Sequence, residues 1–162
     1  MAVTSDIVAT YKGPRPVLAR LQSMGPREDR LLAFLMGACI LMFFGRLPGL
    51  ARQAHLEGSD QSMLMGAALM GTIFILPLLL YALALIVHWV LHAVTGQGEG
   101  HLSRLALFWA LLAASPLALL HGLIAGFIGP GPEQQGVGLI WFALFMWFWV
   151  SGLALFYRRA AA

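Results

Sequence analysis

From residue 31 to residue 157 the chain alternates long apolar stretches with short polar breaks. The apolar stretches cover residues 31–50, 62–94, 103–128 and 137–157. Each is as long as the roughly 20 residues that a helix needs to cross the hydrocarbon core of a bilayer. No Lys, Arg, Asp or Glu lies in the middle of any stretch, as expected where ionisable side chains are costly. The pattern predicts an all-α membrane protein that forms a four-helix transmembrane bundle.

Three of these stretches contain a proline, which removes a backbone hydrogen-bond donor from a helix. Pro48-Gly49 is expected to end the first span, so that residues 50–56 would form a short, weakly amphipathic interfacial helix. Pro77 lies near the middle of the second stretch and predicts a kink or a strong tilt. In the third stretch, Ser115-Pro116 predicts a kink at which the serine hydroxyl bonds back to a freed carbonyl.

The second stretch is too long for a simple span. One helix over residues 62–94 would extend about 48 Å, against about 30 Å of hydrocarbon. No polar turn interrupts the stretch. We therefore expect one overlong, kinked second helix that projects past the head groups, and not two separate spans.

Residues 1–29 form a polar segment ahead of the first span. The segment has no uninterrupted apolar core and no small-residue cleavage site, so the first span is expected to remain as a signal anchor. An amphipathic helix is predicted over residues 16–24, with its apolar face formed by Val17, Leu18, Leu21 and Met24. It could lie along an anionic membrane surface or pack on the bundle. The predicted domains are the N-terminal segment, 1–29, and the transmembrane domain, 30–159.

The composition agrees with a membrane protein, because 60% of the 162 residues are hydrophobic and 10% are charged. A water-soluble domain of that composition would have too little polar surface. The net charge of +3 could indicate binding to nucleic acid, but the basic residues flank the apolar stretches and form no patch. The single cysteine, Cys39, lies inside an apolar stretch, which excludes an intramolecular disulfide and predicts a buried, inert thiol.

The distribution of Lys and Arg predicts the orientation of the protein. With four spans, both termini and the loop at 95–103 share one side, and that side carries Lys12, Arg15, Arg20, Arg27, Arg30, Arg104, Arg158 and Arg159. The other side carries Arg46 and Arg52. The positive-inside rule then places both termini in the cytoplasm of a multi-pass protein of the bacterial inner membrane. Lys12, Arg15, Arg20, Arg27 and Arg30 are expected to anchor the N-terminal segment at the membrane surface, and Arg46 to snorkel to the far interface.

Histidines are the best candidates for chemistry within the spans. His88 and His92 are four residues apart and would share one helix face. His88 would lie about 9 Å from the cytoplasmic end of its helix, and His121 about 26 Å from the cytoplasmic start of the next. Because these depths differ, the histidines cannot share a metal or a haem. We predict no metal and no cofactor, and we keep a polar path near His88, His92 and His121, joined by Thr72 and Ser115, as a hypothesis.

Helix packing has clearer candidates than catalysis. Gly122 and Gly126 form a GxxxG motif, and Gly66, Ala67 and Gly71 give the second helix a small-residue face. Small residues let the backbones of membrane helices approach closely. The spans contain no paired carboxylates, and Ser115 and Ser151 have no neighbouring base that could activate them. The sequence therefore predicts a protein without catalytic residues.

The glycine-rich turn at 96–100, followed by the apolar run from Leu105 to Pro116, resembles the bacterial branch of the Yip family of Rab/Ypt-interacting-like membrane proteins. Pro77-Leu-Leu-Leu-Tyr81 and the Gly-Pro-Gly-Pro loop at 129–132 are similar to the same family. Typical members have five spans, whereas four are predicted here, and the eukaryotic Asp-Leu-Tyr-Gly-Pro signature is missing. The resemblance implies a non-enzymatic protein that organises membranes or assists other membrane proteins, and Rab binding is not carried over.

The leading hypothesis is a scaffold, an accessory subunit or a membrane-organising factor that acts through helix packing. Its expected partners are the lipid bilayer and other membrane proteins or further copies of itself, with no nucleic acid. A small transporter or channel is the alternative, and a haem-binding electron carrier is a third class.

Overall fold

The computed structural model describes residues 3–157, which are almost entirely helical and contain no strand. Seven α-helices follow one another, and a π-helical segment, Met70–Ile75, joins the fourth to the fifth: α1 (Val3–Lys12), α2 (Pro14–Ser23), α3 (Glu28–Glu57), α4 (Gln61–Leu69), α5 (Leu76–Thr95), α6 (Gly100–Phe127) and α7 (Pro132–Phe156). Four helical units are long and apolar enough to cross a membrane: α3, the continuous unit Gln61–Thr95, α6 and α7. The predicted all-α membrane bundle is confirmed. Arg158 and Arg159 lie outside the described residues.

The unit Gln61–Thr95, called the rod below, is one continuous helical stretch of 35 residues. It begins at Asp60, whose carboxylate accepts a hydrogen bond from the Ser62 backbone N–H at 2.8 Å, as an N-cap residue does. It ends at Gly96, whose φ of 67° fits glycine. The π-helical segment ends two residues before Pro77, so the irregularity expected from that proline is a local change of helix type within the rod.

The first span differs from its prediction. α3 continues through Pro48 to Glu57, so the predicted end at Pro48-Gly49 is wrong and residues 50–56 belong to α3. The proline lies against α6, where a Cβ on Gly126 would stand 2.3 Å from the Cβ of Pro48. A proline inside a membrane helix is tolerated when its neighbours compensate for the lost hydrogen bond. The last two spans begin three and five residues earlier than predicted, at Gly100 in α6 and Pro132 in α7.

α6 is the central helix of the bundle. Residues 105–115 are buried on all sides, because α3, α5, α7 and the N-terminal helices surround this half. The predicted hydrogen bond at Ser115-Pro116 is confirmed, since Ser115 Oγ donates to the Leu112 carbonyl at 2.7 Å. That carbonyl is the one that Pro116 leaves without an N–H donor.

The GxxxG motif of α6 lies against α3. A Cβ on Gly122 would stand 1.8 Å from the Gly45 carbonyl oxygen, so the two backbones are in direct contact. The small-residue face of the rod has a different environment. No heavy atom lies within 4 Å of where a Cβ on Gly66 or Gly71 would stand, and Ala67 is exposed. The predicted packing face therefore receives no neighbouring helix at these residues.

Helices α1 and α2 form an antiparallel pair, called the N-terminal hairpin below (Val3–Ser23). The ion pair between Asp6 and Arg20 joins positions equally distant from the turn at Gly13. Of the predicted apolar face, Val17, Leu18 and Leu21 pack on the bundle, whereas Met24 lies beyond α2 and is exposed. Leu18 is fully buried beside Gly152 of α7. Of the two alternatives for this helix, the structure has the one in which it packs on the bundle.

A methyl group on Gly122 tests the contact between α3 and α6. We expect Gly122→Ala to lower the free energy of unfolding by about 2 kcal/mol, because the backbones must separate to admit the Cβ. Gly66→Ala is the matched control. It adds the same methyl group where space is open, and alanine's helix propensity favours it by up to about 1 kcal/mol. Denaturant titration in micelles, followed by far-UV circular dichroism, measures both, and equal stabilities would contradict the contact.

A charge at Leu18 tests the docking of the N-terminal hairpin. Leu18→Asp places an unpaired carboxylate in the core at a cost of about 3 kcal/mol, which raises the detached fraction about a hundredfold. Trypsin should then cleave faster at the bond between Lys12 and Gly13. Ala19→Asp, at the neighbouring exposed position, should leave the cleavage rate unchanged. A protected hairpin in Leu18→Asp would show that this side chain does not hold it.

Candidate functional site

The two ends of the bundle have different chemistry. The hairpin end is the end where α3 and α6 begin and α5 and α7 end; the far end is the opposite one. Four features carry polar or unusually placed side chains, namely the outer face of the hairpin, a histidine cluster, the end of α5 and a pocket in the far half.

The five predicted anchoring residues of the N-terminal segment divide into two groups. Arg20 pairs with Asp6, Arg27 pairs with Asp29 at 3.0 Å, and Arg30 donates to the carbonyl oxygens of Leu21 at 3.0 Å and Gly25 at 3.2 Å. These three side chains shape the segment itself. Lys12 and Arg15 are exposed on either side of the hairpin turn and form no ion pair with any described residue. They are the cationic surface of the hairpin.

The hairpin turn reaches far along the bundle. Tyr11 Oη donates to the Ala113 carbonyl at 2.9 Å, about 20 Å along α6 from its start at Gly100. Thr10 Oγ1 accepts from the buried Trp109 Nε1 at 3.1 Å. Burial raises the pKa of the Tyr11 phenol above its usual value, so the group remains a protonated donor. These bonds position Lys12 beside the middle of the bundle.

The histidine cluster lies at the hairpin end. His88 Nδ1 and Tyr157 Oη share a hydrogen bond of 2.7 Å, and the His88 and His92 ring centroids are 5.5 Å apart. The Tyr157 ring covers Gly98, where a Cβ would stand 2.3 Å from it. Burial raises the pKa of the Tyr157 phenol, against a smaller opposite effect of a hydrogen bond with Ser103. The cluster ties the end of α7 to the end of α5, and the described residues contain no group of three metal-ligating side chains.

The last turns of α5 present apolar side chains to the surroundings. Trp89 is 69% exposed and Val94 is 68% exposed, and Leu85, Ile86 and Val90 share this outer face. A contact between α6 and α5 fixes the position of these side chains along the bundle axis. The Ser103 hydroxyl of α6 donates to the Ala84 carbonyl of α5 at 2.8 Å. Trp89 lies five residues further on, about 8 Å closer to the hairpin end.

A cavity of about 550 Å³ occupies the far half of the bundle, where α3, the rod, α6 and α7 all contribute to its wall. It is called the Arg46 pocket below, and its principal side chains are Met42, Arg46, Thr72, His121, Trp141 and Phe142. The rod packs on α3 and α6, and α7 packs on α6, but the far half of the rod and α7 are not a packed pair. The pocket therefore lies behind a gap between the rod and α7.

Arg46 does not lie at the end of its helix as predicted. α3 continues to Glu57, about 16 Å beyond Arg46, and Arg46 Nη1 donates across to the buried Thr72 Oγ1 at 3.4 Å. Its predicted position at a helix end is therefore wrong, whereas its snorkelling to the far interface stays a prediction. On the other wall, the Trp141 Nε1 atom is buried and has no acceptor among the described residues. The His121 ring lies against Gly138, where a Cβ would stand 3.3 Å from Nε2.

The members of the predicted polar path lie in separate places. Thr72 and His121 share the Arg46 pocket, whereas His88 and His92 lie at the hairpin end, about 30 Å away along α6. Ser115 bonds to its own helix. The buried residues 105–115 of α6 lie between the two groups.

Sequence reasoning missed Arg46 and Trp141 as pocket residues. The available signal was the position of Arg46 inside an apolar stretch, before Pro48 and not after it.

No protein-family model matches the chain. Comparisons with curated proteins and with solved structures also find no match. The resemblance to the Yip family therefore stays a prediction, and the geometry described above is the basis for what the protein does.

Proposed function

We propose that the protein is a non-enzymatic, membrane-organising protein that thins one leaflet of the bilayer beside its N-terminal hairpin. It is an integral membrane protein by its four apolar helical units. The observation that carries the proposal is a difference in depth along the bundle axis between two sides of the bundle, called the step below. Cationic residues on the hairpin lie deeper in the bundle than exposed aromatic and aliphatic residues on α5.

The size of the step follows from the contacts of each side. Leu18 and Ala106 both lie beside Gly152, which places Leu18 about 9 Å along α6 from its start. Arg15 lies about one turn deeper, near 13 Å. On the rod, Trp89 lies about 3 Å outside the start of α6, by its spacing from Ala84. The two levels differ by about 16 Å along the bundle axis.

A flat membrane boundary cannot suit both sides. If the boundary lay at Trp89, the typical residue of membrane interfaces, Arg15 and Lys12 would lie in hydrocarbon, at about 3 kcal/mol each near its centre. If it lay at Arg15, the exposed face from Leu85 to Val94 would be in water. Snorkelling of the Lys12 and Arg15 side chains toward the head groups accommodates part of the difference in depth. Local thinning of the leaflet accommodates the remaining difference in depth, at a cost of fractions of a kcal/mol per ångström of mismatch.

α6 lies between the two sides. α5 packs on α6, and so does the hairpin, which also packs on α7. The hydrocarbon of the leaflet would thus be thinner beside the cationic hairpin and thicker beside the exposed apolar face of the rod. By the positive-inside rule the hairpin end faces the cytoplasm, and head groups of anionic lipids would collect at Lys12 and Arg15.

A protein that thins the leaflet in this way changes the membrane for its neighbours, which supports the accessory role predicted from the sequence. The small transporter with a path near His88, His92 and His121 stays a hypothesis.

Spin labels at single cysteines test the step. In a Cys39→Ala background, labels at Arg15→Cys and Trp89→Cys report depth at the hairpin end through their accessibility to oxygen and to a water-soluble nickel chelate. Met63→Cys and Phe127→Cys do the same at the far end. We expect position 15 to read as water or head group and position 89 as hydrocarbon, with equal depths at the far end.

Each other outcome contradicts the proposal. If position 89 were in water, α5 would simply project from a flat membrane. If position 15 were in hydrocarbon, the hairpin would lie inside an undisturbed leaflet. If the two far-end labels differed in depth by a similar step, the bundle would be tilted as a rigid body and no thinning would be needed.

A further inference from the structure

We infer that the Arg46 pocket binds the acidic head group of an amphiphile that enters from the bilayer between the rod and α7. This inference is independent of the leaflet step, because it concerns the other half of the bundle.

The pocket carries an unbalanced positive charge. The Arg46 guanidinium is always protonated, and no carboxylate lines the pocket or pairs with Arg46 among the described residues. A cation at this depth is costly, and an anion beside it would offset that cost. The planar guanidinium matches the two oxygens of a carboxylate or a phosphate. The missing partner is therefore an anion.

The other polar groups of the pocket also lack an acceptor. Thr72 Oγ1 accepts from Arg46, so its own proton is available for donation. His121 makes no hydrogen bond to another described residue and can supply one more N–H. Donors from three helical units, Arg46 of α3, Thr72 of the rod and His121 of α6, thus line a space that an acceptor-rich head group would fill.

The remaining wall fits an apolar chain. Met42, Leu76, Trp141 and Phe142 line the pocket, and its volume of about 550 Å³ falls within the range of ligand sites. The gap between the rod and α7 faces the surroundings of the bundle, where Phe142 is 54% exposed. A molecule with an acidic head and an apolar tail could therefore keep its tail among lipids while its head enters.

The backbone of the rod departs from a regular α-helix where it lines the pocket. The π-helical segment includes Gly71 and Thr72, both of which line the pocket, and the Leu76 N–H bonds to the Gly71 carbonyl in the i→i+5 pattern. Such segments frequently mark functional sites, since the extra residue redirects side chains. Gly71 has open space beside it, as a wall that admits a ligand requires.

The depth of Arg46 narrows the ligand class. Arg52, six residues later, donates to the Gly126 and Phe127 carbonyls at the end of α6, so Arg46 lies about 9 Å inside that end. A head group that binds there must sink below the level of ordinary head groups. This favours a small acidic head, such as a free carboxylate or a phosphate monoester, over a bulky zwitterionic one.

Quenching of Trp141 by brominated ligands tests the inference. The protein is placed in nanodiscs of zwitterionic lipid at pH 8, and dibromostearic acid is compared with its methyl ester, which has the same tail and no charge. The signal is the quenching measured for the wild-type protein minus the quenching that remains in Trp141→Phe. We expect the acid to act at about tenfold lower concentration than the ester, as for a hydrogen-bonded ion pair, and brominated phosphatidic acid to behave like the acid.

Two variants and a competitor complete the experiment. Arg46→Gln should abolish the preference for the acid, whereas Arg27→Gln, an equal loss of charge at an exposed position of the hairpin end, should preserve it. The wild-type comparison of acid with ester requires no variant, so it decides the question even if Arg46→Gln fails to fold. Equal quenching by acid and ester overturns the inference. Displacement of the brominated acid by millimolar inorganic phosphate would show a site for free anions and would overturn the role of the tail.

Discussion

The close contact between α3 and α6 is the interaction on which the other features depend. Because Gly122 has no side chain, the Gly45 carbonyl can approach its backbone directly, and Gly126 admits Pro48 one turn further on. In a bilayer such contacts depend on van der Waals packing, since apolar side chains gain nothing by leaving lipid. Gly45 and Gly122 also line the floor of the Arg46 pocket. The same two glycines therefore hold the bundle together and place Arg46, the next residue of α3, at the pocket wall.

Three helix prolines are accommodated in three different ways. Ser115 supplies a hydroxyl to the carbonyl that Pro116 leaves without a donor, a local solution that a sequence can reveal. The rod adopts a π-helical segment before Pro77, and α3 keeps its course because α6 packs on Pro48. In hydrocarbon a backbone group freed by proline must be satisfied within the protein, since no water is present there. The irregular segment before Pro77 is also the part of the rod that lines the pocket.

The two halves of the bundle are packed differently around the same central helix. In the half at the hairpin end, the N-terminal hairpin and three spans enclose α6 completely. In the far half the hairpin is absent and the rod does not pack on α7, so a cavity remains among the four spans. The hairpin therefore does more than cover a surface. By filling one side of α6 it confines the polar space to the far half, and it carries Lys12 and Arg15 to the middle of the bundle.

The sequence by itself determined the number of spans, the continuity of the overlong second one and the hydrogen bond of Ser115 beside Pro116, because length, hydropathy and local hydrogen bonding decide these. It did not determine the end of α3, because Pro48-Gly49 predicts an end at which the helix in fact continues, with α6 packed on Pro48. Only the tertiary structure decided that Arg46 points across to Thr72, that the hairpin packs on the bundle, and that the GxxxG motif of α6 is packed while Gly66 and Gly71 are open. Each of these depends on which faces of different helices meet. Periodicity along one chain places a residue on a face but cannot say what lies opposite, because nearly every face here is apolar.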